Sequence, residues 1–315
     1  MQQVKRKIVL AMMLLSQKVE IISYFPPLLK VVTILVTNDI IFPVFCKEKN
    51  KNGAEKMKVA CIQMDIVFGD VEKNIENAKN KISEAMKERP DVIVLPELWT
   101  TGYDLTRLSE IADRDGVETK EKLIEWAKQY DVHIVGGSIA KQTDQGVTNT
   151  MYVVNNEGQL VNEYSKVHLF QLMDEHKYLI AGNGTGEFKL DDVECAGTIC
   201  YDIRFPEWMR VHTAKGAKLL FVVAEWPLVR LAHWRLLLQA RAVENQCYVV
   251  ACNRAGKDSN NVFAGHSLIV DPWGEVVVEA NEEESILFGE LVFEKIKEVR
   301  KGIPVFADRR PELYK

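Results

Sequence analysis

Cysteine is sparse in this chain of 315 residues, and none of its six cysteines forms a C-x-x-C pair. They stand at 46, 61, 195, 200, 247 and 252, and neither 195/200 nor 247/252 has the spacing of a zinc knuckle. A disulfide-dense secreted scaffold is therefore not expected, and thinly scattered cysteines fit a reducing, cytoplasmic setting. Long apolar runs are lacking too. No uninterrupted stretch reaches the roughly 18–20 residues of a transmembrane helix, so no stable membrane insertion is expected. Positive charge is not in excess: the net charge of −5 argues against a general nucleic-acid surface. No repeat with a period of about 20–50 residues is visible, which sets aside solenoids and propellers. What the chain does have is a 47% hydrophobic content and 27% charged residues, enough for a sizeable globular core.

Residues 1–56 differ from the rest. They carry nine Lys or Arg against four acids, while the remainder is acidic. Apolar runs at Ile8–Leu15, Ile21–Leu29, Val31–Val36 and Ile40–Phe45 are broken by Lys18, Glu20, Lys30 and Asp39. Lys5-Arg6-Lys7 before Ile8–Leu15 has the look of the first two regions of a signal peptide, but no small-x-small cleavage site follows cleanly. The expectation is an extension outside the fold, either untranslated, with Met57 as the natural start, or a membrane-associated leader, and a domain of residues 57–315.

From Met57 the chain alternates strand and helix. Lys58–Met64 reads as a strand with Val59 and Cys61 on one face and Ala60, Ile62 and Met64 on the other. Val71–Lys87 reads as a helix capped by Asp70, with Lys73 and Asn74 exposed behind the cap. Asp91–Leu95, Val132–Val135, Val193–Ile199, Leu219–Ala224 and Cys247–Cys252 are apolar strands of the kind buried on both faces. Glu118–Tyr130 and Leu231–Asn245 are amphipathic helices. Hairpins are expected around Asn155–Gly158 and Asp271–Gly274. Alternation plus hairpins excludes a purely parallel sheet and favours α/β architecture with two mixed sheets and helices outside.

Three polar residues follow strands: Glu97, Lys166 and Cys200. Loops at strand ends are where α/β folds commonly carry their chemistry. Cys200 stands between a strand and a helix that opens with Pro206, where a nearby helix N-terminus would favour its thiolate. These residue types suit acyl transfer to sulfur. A thiol attacks a carbonyl, a carboxylate takes its proton and returns one to the leaving amine, and an ammonium stabilises the oxyanion. A metal site built from Cys195, Cys200, His168 and His176 has no ligand pair at helical or knuckle spacing.

Leu95-Pro-Glu97, Tyr164-Ser-Lys166-Val-His-Leu and Ile199-Cys200-Tyr-Asp-Ile-Arg-Phe-Pro-Glu207 resemble, in order and separation, the three signature segments of the nitrilase superfamily of carbon–nitrogen hydrolases. Arg241-Ala-Val-Glu-Asn245 and Gly265–Gly274 extend the resemblance, which covers Met57 to Tyr314. It implies Glu97 as general base, Lys166 as transition-state stabiliser, Cys200 as nucleophile and the Tyr201 backbone N–H as oxyanion donor. It also implies a second acid, matched by Glu175 with Asp174 beside it, and a four-layer α-β-β-α sandwich. Pairing into a homodimer or higher homo-oligomer through 206–215 and 231–245 is implied as well. The chemistry requires no metal and no organic cofactor.

The stretches 99–105, 168–176 and 224–228 are similar to bacterial omega-amidases, which hydrolyse 2-oxoglutaramate in methionine salvage. The expected partner is a small-molecule amide of a dicarboxylic acid; a nitrile or an N-carbamoyl amino acid is the alternative. Arg204 can pair with a substrate carboxylate or form a structural salt bridge with Glu207 or Asp202. Tyr103, Phe170, Trp226 and Trp273 are candidate pocket walls.

Overall fold

The computed structural model describes residues 20–22, 32–36, 40–44 and 56–314. The chain divides into two units, 1–53 and 54–315. In the first, β1 (Glu20–Ile22), β2 (Val32–Val36) and β3 (Ile40–Val44) pair as an antiparallel sheet. The signal-like stretch 5–15 lies outside the described residues.

The second unit is built on two mixed sheets. One has the order β16-β4-β5-β7-β8-β9, from β16 (Ser285–Val292), β4 (Lys56–Gln63), β5 (Val92–Val94), β7 (His133–Thr143), β8 (Gly146–Val154) and β9 (Leu160–Ser165). The short β6 (Asp113–Arg114) pairs with the far half of β7. The other has the order β10-β11-β12-β13-β14-β15, from β10 (Glu187–Leu190), β11 (Val193–Ile199), β12 (Leu219–Ala224), β13 (Tyr248–Asn253), β14 (Leu268–Val270) and β15 (Val276–Glu279). β4, β5 and the start of β7 run parallel, as do β11, β12 and β13.

The alternation along β4 sorts its side chains between two cores. Val59 and Cys61 join Val92, Val94 and Tyr164 against Ile199, Val223 and Cys252 of the facing sheet. Ala60, Ile62 and Met64 pack outward beneath α1 (Val71–Ala85) and α3 (Val117–Tyr130), through Ala78, Ile82, Leu123 and Trp126. α5 (Pro206–Ala214) and α6 (Leu231–Asn245) cover the other sheet through Met209, Trp234 and Leu238. The result is a four-layer α-β-β-α sandwich. Shorter helices α2 (Leu108–Ile111), α4 (Glu175–Tyr178), α7 (Glu294–Gly302) and α8 (Val305–Asp308) lie outside the sheets.

Two expectations need correction. The strand expected over 132–135 runs on to Thr143, because Gly136-Gly137 form a bulge rather than a stop. Asp70 does cap α1, accepting from the Lys73 N–H at 3.1 Å, but Asn74 is buried rather than exposed. Its amide bonds the carbonyls of Val67 and Thr100, so a polar residue on a helix serves as a tie between loops.

Candidate active site

Cys200 lies at the abrupt end of β11. Strands β11 and β12 are parallel and buried, so the chain must turn within one residue, and Cys200 takes a left-handed φ of 45°. A side chain on so sharp a turn stands clear of its own strand. Asp202 fixes the turn. Its carboxylate accepts the Ile199 N–H at 3.0 Å, the Tyr164 hydroxyl at 2.8 Å and the His168 N–H at 3.2 Å, and meets His168 Nδ1 at 2.7 Å. A 3₁₀ turn, Cys200–Arg204, separates Cys200 from α5.

Glu97 follows β5 in a matching bend, with Leu98 at φ 40°. The bulge in β7 supports it: Ser138 Oγ accepts the Leu98 N–H at 2.9 Å, and the Ser138 carbonyl accepts the Trp99 N–H at 3.0 Å. Gly137, at φ 60°, is required there, since a Cβ would stand 2.1 Å from the Pro96 carbonyl oxygen. Three donors hold the Glu97 carboxylate. Lys166 Nζ and Asn149 Nδ2 each reach Oε1 at 2.8 Å and the Glu225 N–H reaches Oε2 at 2.8 Å, while the oxygen of the Tyr103 hydroxyl, whose one proton points to Glu175, lies 3.3 Å from Oε1.

Lys166 is fully buried after β9, held by backbone bonds to Asn149 and from Gly182. Its ammonium also donates to Glu175 Oε1 at 2.6 Å. Glu175 accepts in addition from the Tyr103 hydroxyl at 2.6 Å and, on Oε2, from the Phe170 N–H at 2.7 Å. Of the two adjacent acids, Asp174 is exposed and pairs with Lys177.

The charges follow from burial. Desolvation works against the Lys166 ammonium, but Glu175 and Glu97 outweigh it and hold its pKa well above the ordinary value. Burial raises Glu175 although Lys166 opposes it. Burial, then Glu97, push the Cys200 thiol well up, with Lys166 offsetting only part. The expectation of a favoured thiolate is thus overturned: the intervening 3₁₀ turn leaves Cys200 away from the α5 N-terminus, and two carboxylates face the sulfur.

Cys200 lies on a narrow pocket whose walls include Phe170, Met173, Tyr201, Trp226, Arg204 and Arg230. A larger recess, about 440 Å³ beside Arg210 and Tyr314, holds none of these groups. Tyr103 stands behind the pocket, against the carboxylates. Trp273 is no wall; it is 49% exposed on the β14–β15 turn, where the hairpin projects it outward. Neither salt bridge considered for Arg204 is formed: among the described residues no carboxylate lies in ion-pair range of it, and its guanidinium lies 4.8 Å from the Trp226 ring centroid. Tyr201 packs its ring on Phe170 at 4.8 Å.

Sequence reasoning missed Asn149, Arg230 and Glu225. Glu225 could have been found by the signal that marked Glu97, a charged residue directly after an all-apolar strand. It is fully buried, bonds Arg254 at 2.7 Å, and burial raises its pKa to about 8. Asn149 is a lone amide inside a buried strand. Arg230 carries no local signal.

Two sheets that bring a thiol, an ammonium and two carboxylates to one buried point define a class of hydrolase. The carbon-nitrogen hydrolase family model matches residues 58–301, and the chain belongs to that family. It is a hydrolase of non-peptide carbon–nitrogen bonds, an amidase by class. Among individual relatives, the 2-oxoglutaramate amidase of Bacillus subtilis (strain 168) is 54% identical over 259 residues, covering 82% of this chain and 100% of that protein. The omega-amidase of Homo sapiens is 34% identical over 268 residues, covering 82% and 96%. Among solved structures, a Saccharomyces cerevisiae member of branch 10 of the nitrilase superfamily superposes with a TM-score of 0.76 at 31% identity, covering 81% and 97%.

Proposed function

We propose that the protein hydrolyses the terminal amide of a small dicarboxylic acid, of the 2-oxoglutaramate type, to the carboxylate and ammonia through a thioester on Cys200. The observation that carries this reading is the buried cluster in which Lys166 bridges Glu97 and Glu175 beside the Cys200 thiol. Glu97 takes the thiol proton as sulfur attacks the amide carbonyl. Lys166 and the Tyr201 backbone N–H stabilise the oxyanion. The tetrahedral species collapses, the C–N bond breaks, and Glu97 gives its proton to the departing ammonia. Glu97 then deprotonates water, which attacks the thioester; the C–S bond breaks and sulfur recovers the proton.

Glu175 holds Lys166, and Arg204 takes the substrate carboxylate. The similarity to a 2-oxoglutaramate amidase supports this substrate class, and with that substrate the reaction is assigned to methionine salvage. Residues 57–315 form the hydrolase domain and 1–56 an extension to it. The setting is cytoplasmic, in keeping with the five free, buried cysteines among the described residues. The molecule pairs through α5 and α6, where Val211, Leu236 and Val243 are exposed.

Ammonia release from 2-oxoglutaramate, glutaramate, an N-carbamoyl amino acid and a small nitrile tests the substrate class. The first two should be turned over far faster than the last two. Preference for the nitrile or the carbamoyl substrate would overturn the reading.

A further inference from the structure

Arg204 and Arg230 both border the pocket that opens on Cys200, and neither has a carboxylate in ion-pair range among the described residues. Each lies by an aromatic wall of that pocket: the Arg204 guanidinium is 4.8 Å from the Trp226 ring centroid, the Arg230 guanidinium 5.5 Å from that of Phe170. Aromatic contact steadies a guanidinium without consuming its N–H donors; Arg204 has one of them on His233 Nδ1 at 3.4 Å, and the others remain for a planar acceptor. The mounts are themselves anchored. The Trp226 N–H donates to Asn253 Oδ1 at 2.6 Å and its indole N–H to the Arg230 carbonyl at 2.9 Å. The Phe170 N–H donates to Glu175.

One guanidinium satisfies a carboxylate with two parallel bonds. A second cation at the same pocket, unmatched by protein charge, needs a further acceptor on the ligand. Resting on the substrate class proposed above, we infer that Arg230 is a specificity-determining residue that reads the oxygen next to the substrate carboxylate, while Arg204 takes the carboxylate itself. The ligand class is then the ω-amide of a 2-oxo acid, with three acceptor atoms at the end remote from the amide. Glutaramate, which lacks the keto oxygen, leaves Arg230 unsatisfied.

The test compares kcat/KM for 2-oxoglutaramate, glutaramate and the neutral butyramide in wild type, Arg230→Ala, Arg230→Lys and Arg204→Ala. The Arg230 carbonyl that holds Trp226 is untouched by side-chain changes, and thermal melts check that each variant is folded. Arg230→Ala should cut the ratio of 2-oxoglutaramate to glutaramate turnover about 30-fold, the scale of one hydrogen bond from a charged group. Arg230→Lys should recover only part of it, because a lysine keeps the charge but not the fork. Arg204→Ala should lower both acids relative to butyramide. Wild-type protein that prefers the acids, with Arg230→Ala losing both equally or neither, would overturn the role of Arg230 alone. Wild-type protein that turns over butyramide as well as either acid would overturn the substrate class and this assignment with it.

Discussion

Burial and two neighbouring carboxylates push the Cys200 thiol well above its ordinary pKa, so the nucleophile proposed above would have to lose its proton during the reaction. The rate of Cys200 alkylation by iodoacetamide should therefore climb with pH and show no plateau below about pH 9; a flat rate between pH 6 and 8 would mean a thiolate already formed at rest. Cys200→Ala should abolish turnover while leaving the thermal melt intact, and surviving amidase activity would refute the nucleophile. The paired acids offer a sharper comparison. Glu175→Gln removes a charge bonded to the Lys166 ammonium and should lower kcat by about 100-fold or more, the scale of losing an electrostatic stabiliser. Asp174→Asn, one position away on the surface, should change kcat within about 3-fold, as surface substitutions do. The sequence offered both acids at this point. Only the turn at Asp174, with φ 60°, decides which of them faces inward.

At the scale of elements, most strands and helices were readable because burial imposes a period of two on β4 and of three to four on α1, α3 and α6. The signal failed where a partner sets the structure. The two-glycine bulge looks like a strand end locally, and β10 is a strand only because β11 lies beside it. The bulge also carries function, since Gly137 touches the peptide before Glu97. Gly137→Ala should cost about 1–3 kcal/mol in urea unfolding, as overpacking does, and should depress kcat by moving Glu97. A variant that loses stability at unchanged kcat would separate the bulge from the site.

The docking of α5 on β10 carries a pH signature. Burial opposes the Glu187 charge, but hydrogen bonds from Thr185, His212 and Lys215 outweigh it and lower its pKa to about 2. A carboxylate depressed in the folded state contributes stability that is complete above its unfolded pKa of about 4.3 and is lost as pH falls through about 2. Glu187→Gln should therefore unfold more easily than wild type at pH 7, with the gap closing between about pH 4 and pH 2. A gap that stays constant would remove the charge from the account.

For the whole molecule, the layered architecture was legible from strand and helix alternation, but the meeting of Glu97, Lys166 and Cys200 across two sheets was legible only by resemblance. No local pattern reports which residues face each other over a core. The apolar surface of α6 makes a prediction at this scale. Leu236→Glu with Val243→Glu should shift the protein toward monomer in sedimentation, whereas an unchanged mass would exclude α6 from the interface. A chain beginning at Met57 should keep full kcat, and loss of activity would give residues 1–56 a part in the fold.

The candidate site is divided between the two sheets: Glu97, Asn149 and Lys166 hang from one, Cys200 and Glu225 from the other. Neither sheet holds a working half. Turnover is therefore a gauge of the gap between them, and a shift of about 1 Å in that gap is enough to misplace reacting groups. A partly folded chain with one sheet formed would be silent rather than weakly active. Activity during refolding should appear only when the sheets clasp, at the same moment as the burial of the side chains between them.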